Sequence, residues 1–346
     1  MAKLNRKLRV LVLVHESLIP PDTIEGMSDK ELTPIKTEFD VTVTLREMGH
    51  EVTPLGVSTD LGVIREAVEQ FQPQVVFNLL EEFNGIGVYD AHVVSFLELL
   101  GQPYSGCNPR GLMLCHNKAL SKMICRYHRI PVPKFHVFPM SRKTVRRPKS
   151  LNFPLIIKSL TEEGSVGIAQ ASVVYDDAAL AERVKFIHRN VHTDAIAEQY
   201  IDGRELYVAV IGNERLQTMP PWEMLFKNLP DGAPRIATGR IKWDLDYRKS
   251  AGIDTARAAE LSEATLKKVE QVCKRAYRSL MMSGYARMDL RLTEAGDVYL
   301  LEANPNPELG YGEDFAESCE AAGIDYDDLL DRIVRLGMAY RLRGQA

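Results

Sequence analysis

The 346-residue sequence lacks any uninterrupted apolar run of the roughly 18–20 residues that a membrane-spanning helix requires. It also has little net charge, because 43 lysines and arginines stand against 47 aspartates and glutamates, for a formal charge of −4. Such a balance is not typical of a protein dedicated to binding nucleic acid. We therefore expect neither a membrane-spanning protein nor a nucleic-acid-binding one.

Cysteine is scarce as well. The number is odd and no two cysteines are spaced C-x-x-C, which argues against a disulfide framework or a zinc site; the five are Cys107, Cys115, Cys125, Cys273 and Cys319. Free thiols indicate a reducing compartment, and we predict a cytoplasmic location. The basic and then apolar start of the chain is interrupted by His15-Glu16 and has no small-residue cleavage site after it, so a first buried strand is predicted there instead of a signal peptide.

The composition is that of a globular protein, with 45% hydrophobic and 26% charged residues in a chain long enough to bury more than one core. In the first third, short apolar runs alternate with helical patterns, and strands are predicted at 8–14, 51–57 and 74–80. That alternation is typical of a parallel sheet covered by helices. The prediction is an α/β (α+β) protein that begins with a Rossmann-like parallel-sheet domain.

The later chain divides into further segments. A helix at 117–129 is predicted to end before Ile130-Pro131-Val132-Pro133, since proline cannot continue it. Residues 220–249 have little periodicity and are predicted to form a long loop, whereas 256–282 reads as one long helix. The predicted domains are 1–112 (N-terminal α/β), 113–194 (central) and 195–346 (C-terminal).

Two adjacent strand patterns carry the sharpest chemical signal. If the turn between them is centred on Ala295-Gly296, Asp289 faces Glu302, Arg287 faces Asn304, and all four side chains project from one side of the hairpin. The opposite side is predicted to be apolar and to consist of Met288, Leu290, Leu301 and Ala303. Facing carboxylates repel unless a cation lies between them, and carboxylate and amide oxygens suit Mg²⁺. A solvated charged strand face is the alternative interpretation of this hairpin alone.

Two weaker signals precede this hairpin. Lys158 ends a buried strand, where its ammonium could reach a phosphate, and the Gly/Ser-rich run 163–167 lets backbone N–H groups approach phosphate oxygens. Glu198 and Glu205 flank a strand end and could accept hydrogen bonds from adenine and ribose, respectively. When each piece is taken alone, a plain β-turn explains the first better, and a strand with flanking charges explains the second better.

Together and in order, these pieces resemble the ATP-grasp superfamily and, within it, the D-alanine–D-alanine ligase family. The resemblance extends over nearly the whole chain, from Leu97–Gly106 and Asn117-Lys118 to Arg287-Met288-Asp289 and Leu300–Asn304. It implies ADP-forming ligation of a small-molecule carboxylate to an amine through an acyl phosphate, with ATP bound between the central and C-terminal domains.

The resemblance also implies a role for each matched residue. Lys118 and Lys158 would contact the nucleotide phosphates, and Lys242 would serve as a lid lysine toward the γ-phosphate. Arg287 would stabilise the oxyanion of the tetrahedral intermediate. The implied nucleotide-binding residues are completed by Glu163, Gly164, Ser165, Val166, Gly167, Glu198, Gln199, Tyr200, Ile201 and Glu205. Asp289, Glu302 and Asn304 would hold two Mg²⁺ ions, or Mn²⁺ in their place.

Two departures from the family concern the substrates. Where the family has Gly-Gly-x-Ser-x-Glu after the first strand, this chain has His15-Glu16-Ser17, so Glu16 is the candidate for holding the first amine. Where the family has a Ser-Leu pair that binds the second carboxylate, this chain has Glu313-Asp314. The acceptor and the oligomeric state, with a homodimer as one option, stay open. The alternatives are a peptide- or natural-product-tailoring ligase and a catalytically silent nucleotide-binding protein.

Overall fold

A computed structural model describes residues 6–162, 164, 166–228, 232–239, 248 and 252–341. Three β-sheets organise these residues: a three-stranded parallel sheet, a four-stranded antiparallel sheet and a six-stranded antiparallel sheet. The mixed α/β architecture that the sequence predicts is confirmed. Within the described residues, no helix is both long enough and apolar enough to cross a membrane.

The first sheet has the strand order β2-β1-β3 and is parallel throughout. It contains β1 (Arg9–His15), β2 (Glu51–Val57) and β3 (Val75–Asn78). Its helices are α1 (Asp29–Leu32), α2 (Lys36–Glu47), α3 (Gly62–Phe71) and α4 (Asp90–Leu99). All residues of β3 and five of the seven in β1 are buried, as expected for a parallel sheet between helices.

Two capped helices lead into the second sheet. They are α5 (Pro109–His116) and α6 (Lys118–Tyr127), and the Asn117 side chain caps α6 by accepting hydrogen bonds from two backbone N–H groups of its first turn. The sheet has the order β4-β7-β5-β6 and contains β4 (Phe135–Phe138), β5 (Leu155–Ser159), β6 (Val173–Val174) and β7 (Ala195–Gln199). Helix α7 (Asp177–Asn190) packs against β5.

The third sheet has the order β11-β10-β8-β12-β13, with β9 paired to β8. Its strands are β8 (Arg204–Ile211), β9 (Gln217–Thr218), β10 (Trp222–Phe226), β11 (Ile253–Arg257), β12 (Tyr285–Leu292) and β13 (Val298–Pro305). The remaining helices are α8 (Glu263–Ser279), α9 (Asp314–Glu320) and α10 (Tyr326–Ala339).

Two sequence-based boundaries were wrong in this last part. Strand β10 lies inside the segment 220–249 that was predicted to be loop, because Trp222 to Phe226 pair with β11. The predicted helix 256–282 begins only at Glu263, where the Ser262 hydroxyl caps it by accepting from the Thr265 N–H. Ala256 and Arg257 belong instead to β11, whose pairing with β10 outweighs their helical pattern.

One hydrophobic core joins the first and third sheets. Leu11 and Val76 of the parallel sheet belong to the same buried cluster as Leu206 and Met288 of the six-stranded sheet. A second cluster packs α2 against the segment around Leu309. The first and third sheets therefore share a core. Strands β12 and β13 of the third sheet, which carry the predicted metal ligands, are held in place by this core.

A buried carboxylate lies in the first turn of α2, the helix of this second cluster. Glu38 of α2 is 7% exposed, and burial, reinforced by the carboxylates of Glu81 and Glu308, raises its pKa to about 7. The folded protein therefore holds a proton that the unfolded chain has released between about pH 4.5 and 7. In that interval the free energy of unfolding falls as the pH rises, by up to about 3 kcal/mol from this group.

Replacing Glu38 by glutamine is expected to remove this dependence and to stabilise the protein at pH 8. Urea unfolding of the wild type and of Glu38→Gln at pH 5, 6, 7 and 8 measures the difference directly. Glu66→Gln on the exposed face of α3 is the matched control and should follow the wild type. A Glu38→Gln curve parallel to that of the wild type would contradict the raised pKa.

Candidate active site

A cleft between the second and third sheets brings together nine of the predicted site residues, the majority of those that the structure describes. Lys158 enters it from β5, Glu205 from β8, and Lys118 from the first turn of α6. The predicted residues that line the cleft are Lys118, Lys158, Gly164, Val166, Glu205, Arg287, Asp289, Glu302 and Asn304. Residues that lie more than 180 positions apart in the sequence thus share one surface.

The β12–β13 hairpin presents its four polar side chains as predicted. Arg287 pairs with Asn304, and Asp289 pairs with Glu302. Beyond Asp289, however, the register shifts by one residue, so that Leu290 pairs with Leu300 and Leu301 forms a β-bulge.

The bulge corrects the predicted apolar face of the hairpin. Because a bulge reverses side-chain alternation, Leu301 lines the cleft beside Glu302, and Leu300 takes its place in the core. The hairpin loop spans five residues and is centred on Ala295, instead of between Ala295 and Gly296. The different loop centre shifts the pairing register by one residue, and the bulge shifts it back by one. The pairing of Asp289 with Glu302 was therefore still predicted correctly.

Each carboxylate of the hairpin has a cationic partner. Arg287 forms a two-pronged pair with Asp289, with Nε–Oδ1 at 2.7 Å and Nη2–Oδ2 at 3.0 Å, and its guanidinium lies over the Tyr207 ring. Lys118 Nζ lies 2.9 Å from Glu302 Oε1. Burial disfavours the charge of Glu302, but the ammonium groups of Lys118 and Lys158 outweigh it and lower its pKa to about 2. The repulsion expected between the two carboxylates is therefore already compensated.

The three predicted metal ligands fit Mg²⁺ by their chemistry. Asp289 and Glu302 offer carboxylate oxygens from opposite positions of the hairpin, and Asn304 adds an amide on the same side. Among the described residues, the buried Asn304 Nδ2 atom has no hydrogen-bond partner, and Mg²⁺ would bind this amide through its oxygen, Oδ1. In the described part of the chain, no group of three or more His, Cys, Asp or Glu side chains forms a metal site, so an ion here would depend on the amide.

Glu198 lies behind the cleft, between two lysines. Its carboxylate is fully buried, with Oε1 at 2.8 Å from Lys122 Nζ and Oε2 at 3.2 Å from Lys158 Nζ. Sequence reasoning missed Lys122. The signal that could have found it is its position four residues after Lys118, which places both lysines on one side of α6. That Glu198 contacts adenine stays a prediction.

Glu205 is oriented by two neighbours on the wall of the cleft. The Tyr207 hydroxyl donates to its Oε1 at 3.0 Å, and Arg291 Nη2 lies 2.6 Å from its Oε2. Burial, followed by the charge of Glu205, raises the pKa of Tyr207, so the hydroxyl stays a donor. Tyr207 and Arg291 line the cleft too, and the sequence analysis did not single out either residue.

Several predicted residues lie away from this cleft or outside the described chain. Gln199 ends β7, Tyr200 and Ile201 follow it, and none of the three is part of the lining. Tyr200 packs on a small cluster with Ile156 and Ile236, which do line the cleft. Gly167 is not in the lining either, and its carbonyl accepts a hydrogen bond from Arg183. Glu16 is exposed in a 3₁₀ turn after β1. Glu163, Ser165 and Lys242 lie outside the described residues.

Comparison with solved structures agrees with this architecture. The chain superimposes on the D-alanine–D-alanine ligase of Bacillus anthracis complexed with ATP with a TM-score of 0.73, at 22% sequence identity, covering 96% of this chain and 97% of that one. A ligase of the same name from Coxiella burnetii gives a TM-score of 0.70 at 19% identity. Two antiparallel sheets with a cleft between them, lined by lysines and carboxylates, together with these matches define an ATP-grasp fold.

Sequence comparison gives the family. The family model described as the D-ala D-ala ligase C-terminus matches residues 124–335. The D-alanine–D-alanine ligase of Desulforudis audaxviator is 27% identical over 314 residues, which cover 90% of this chain and 95% of that protein. An uncharacterized protein, y4sG of Sinorhizobium fredii, is 30% identical over 309 residues, or 87% and 86% of the two chains. The chain belongs to the D-alanine–D-alanine ligase family and is an ATP-grasp ligase of the kind that forms a peptide-type bond.

Proposed function

We propose that the protein is an ATP-dependent, ADP-forming ligase that joins a small carboxylic acid to an amine through an acyl phosphate. The observation that carries the proposal is the convergence of two lysines, an arginine, two carboxylates and an amide in one cleft between two sheets. The lysines suit an anionic nucleotide, and the two carboxylates with the amide suit the divalent cation that accompanies it.

Nucleotide binding would use the two walls of the cleft. Lys118 and Lys158 would bind the phosphates, with backbone N–H groups around Gly164 and Val166 closing over them. Glu205, held by Tyr207 and Arg291, would accept from the ribose hydroxyls. The apolar cluster that includes Ile156, Ile236 and Tyr200 is a suitable surface for adenine. The other nucleotide contacts of the sequence analysis are kept within this proposal, except that of Glu198, whose carboxylate is fully buried between two lysines and does not line the cleft.

Two Mg²⁺ ions would be held by Asp289, Glu302 and Asn304. When bound, they supply charge neutralisation for the phosphate being transferred. Arg287 lies beside Asp289 and can offer its guanidinium to developing negative charge.

The proposed reaction has two steps. The carboxylate oxygen of the acid attacks the γ-phosphorus of ATP, and the bond from that phosphorus to the β–γ bridging oxygen breaks to release ADP. The amine nitrogen then attacks the carbonyl carbon of the acyl phosphate. Arg287 stabilises the oxyanion that forms, the amine loses a proton, and the C–O bond to phosphate breaks.

We further propose that the acceptor is not a free amino acid. Glu313 is half-buried at the N-terminus of α9, and burial, with the nearby charges of Glu308 and Asp314, raises its pKa. Asp314 accepts a hydrogen bond from Thr255 at 2.5 Å and lies near enough to Arg287 to raise the pKa of that arginine. These carboxylates are thus not merely solvated at a helix end. An acceptor carboxylate here would meet like charge, at a cost of several kcal/mol.

Free D-alanine is therefore expected to be a poor acceptor, and D-alaninamide a better one by about tenfold or more, since about 1.4 kcal/mol corresponds to tenfold. ADP release with each acceptor measures the ratio, and Glu313→Ser should narrow it. Efficient use of D-alanine by the unmodified protein, at micromolar to low-millimolar levels, would contradict this preference. It would point back to an ordinary D-alanine–D-alanine ligase instead of a ligase that tailors peptides or natural products.

The general function is tested by ADP release over pairs of D- and L-amino acids, dipeptides and amines. ADP release that depends on both an acid and an amine is the expected result. Nucleotide binding without such release under any pair would favour a catalytically silent nucleotide-binding protein.

The domain division also enters this proposal. Because β7 pairs with β4 and β5, a boundary after Gln199 keeps the second sheet whole, whereas the predicted boundary at 194/195 assigns this strand to the C-terminal domain. We propose 1–112, 113–199 and 200–346 as the units. The cytoplasmic location and the homodimer stay predictions.

A further inference from the structure

Five charged residues form one buried cluster behind the nucleotide cleft, which we call the lysine–glutamate cluster. Its members are Lys118, Lys122, Lys158, Glu198 and Glu302. Four of them are 8% exposed or less, and only Glu302 is more open to solvent. Since buried charges are stable only when they are paired, the contacts within this cluster decide which charges remain available to a ligand.

Lys122, like Glu198, has no access to the cleft. It is 2% exposed and is not part of the lining. Its ammonium lies 2.8 Å from Glu198 Oε1 and donates to the Leu301 carbonyl at 2.6 Å. Burial lowers the pKa of Lys122, and the Glu198 carboxylate opposes that shift by favouring the charged ammonium. Any effect of Lys122 on a ligand must therefore pass through these two partners.

Glu198 is shared between Lys122 and Lys158. Its two oxygens contact one ammonium each, so Lys158, which does line the cleft, is only partly neutralised. Counted over the whole cluster, three ammonium groups and two carboxylates leave one positive charge in excess. Without Lys122, Glu198 would pair with Lys158 alone, and the cluster would have no excess positive charge.

The second contact of Lys122 reaches the other sheet. Leu301 is the bulged residue directly before Glu302, and its carbonyl is held by Lys122, while Lys118, one turn earlier on α6, holds the Glu302 carboxylate. Helix α6 thus connects the strand that carries Glu198 with the strand that carries a proposed metal ligand.

We propose that Lys122 is a positioning residue for nucleotide binding: it neutralises Glu198 from behind, so that Lys158 keeps its charge for the phosphates. In this assignment the side chain of Glu198 serves the lysines, not adenine. The inference rests on the proposed function only in that the cleft binds ATP.

The test measures binding of a non-hydrolysable ATP analogue with Mg²⁺, which needs neither acid nor amine substrate. Lys122→Met is expected to weaken binding by about tenfold or more, because the excess positive charge is lost. The double variant Lys122→Met/Glu198→Gln removes one charge of each sign and restores the excess. It is expected to bind within about threefold of the wild type. A merely structural role for Lys122 would instead lower the urea midpoint of Lys122→Met and leave the affinity of the folded protein at the wild-type value, so urea unfolding is measured beside binding.

Lys185→Met, an exposed lysine of α7, is the matched control and should bind as the wild type does. Wild-type affinity in Lys122→Met, or a double variant still weaker by about tenfold, would overturn the inference. If Lys122→Met does not fold, the affinity of the double variant is compared with that of the wild type. A value within about threefold supports the inference, and a loss of about tenfold overturns it. Absence of nucleotide binding by the wild type would overturn the proposed function itself, and the inference with it.

Discussion

Replacing Glu302 by glutamine is expected to lower turnover by about 100-fold or more while the protein stays folded. Glu302 lies opposite Asp289 on the hairpin and lines the cleft. Its pKa of about 2 keeps it fully ionised at any working pH. Glutamine keeps the shape but removes the charge that a bridging metal ligand supplies, and an amide binds Mg²⁺ much more weakly than a carboxylate does.

The same change is expected to lower the free energy of unfolding by about 1–3 kcal/mol. Repulsion between two facing carboxylates, taken alone, would leave the stability of this variant unchanged or higher. Arg287 already compensates the charge of Asp289, so removing the Glu302 charge relieves little repulsion. Lys118, which is 4% exposed, would instead lose its carboxylate partner and keep a buried positive charge. The wild-type contribution is fully present above about pH 4.5 and is lost as the pH falls toward 2.

Steady-state ADP release at saturating Mg²⁺, together with urea unfolding at pH 7, measures both effects. Glu294→Gln, in the exposed loop of the same hairpin, is the matched control and should change neither quantity. Near-normal ADP formation by Glu302→Gln would contradict the metal assignment.

Replacing Arg287 by lysine is expected to have the second-largest effect, a fall in kcat of about 100- to 1,000-fold. The guanidinium holds both oxygens of Asp289 and at the same time lies over the Tyr207 ring, 4.9 Å from its centroid. Burial disfavours its charge, but Asp289 outweighs burial and raises the pKa of Arg287. A lysine ammonium keeps the charge but cannot form the two-pronged pair and face an oxyanion together.

This loss should appear mainly in kcat, since the interaction with the oxyanion exists only during reaction. The KM for ATP is expected to change by less than about threefold. Arg278→Lys, on an exposed position of α8, is the control. An Arg287→Lys enzyme with wild-type kcat would exclude the proposed role, and a large rise in the KM for ATP alone would assign Arg287 to nucleotide binding instead.

Much of the fold and of the hairpin was predictable because local patterns determine them. Alternation of apolar runs with helical periodicity gave β1 to β3 and their helices, and the two-residue period of strands placed Arg287, Asp289, Glu302 and Asn304 on one side. The turn composition located the hairpin loop to within one residue, and the bulge at Leu301 offset that error at the pairing of Asp289 with Glu302. These features depend on neighbours within about 20 residues of sequence.

The rest depends on contacts that no local pattern records. The bulge at Leu301 exchanges the two faces of β13. Lys122 donates to the Leu301 carbonyl, and the Leu300 N–H donates to the Pro131 carbonyl. Both partners come from far earlier in the chain. The burial of Glu198 between two lysines is set by packing of α6 against two sheets. Strand β11 likewise exists because β10 lies beside it, despite a helical pattern in its own sequence.

The central claim is ligation through an acyl phosphate, and isotope transfer tests it most directly. The acid that gives the highest ADP release would be labelled with ¹⁸O in both carboxylate oxygens and incubated with ATP, Mg²⁺ and its amine. The account predicts ADP as the nucleotide product and one ¹⁸O atom in each phosphate released, in proportion to the C–N bonds formed. Formation of AMP and pyrophosphate, or phosphate free of label, would contradict it.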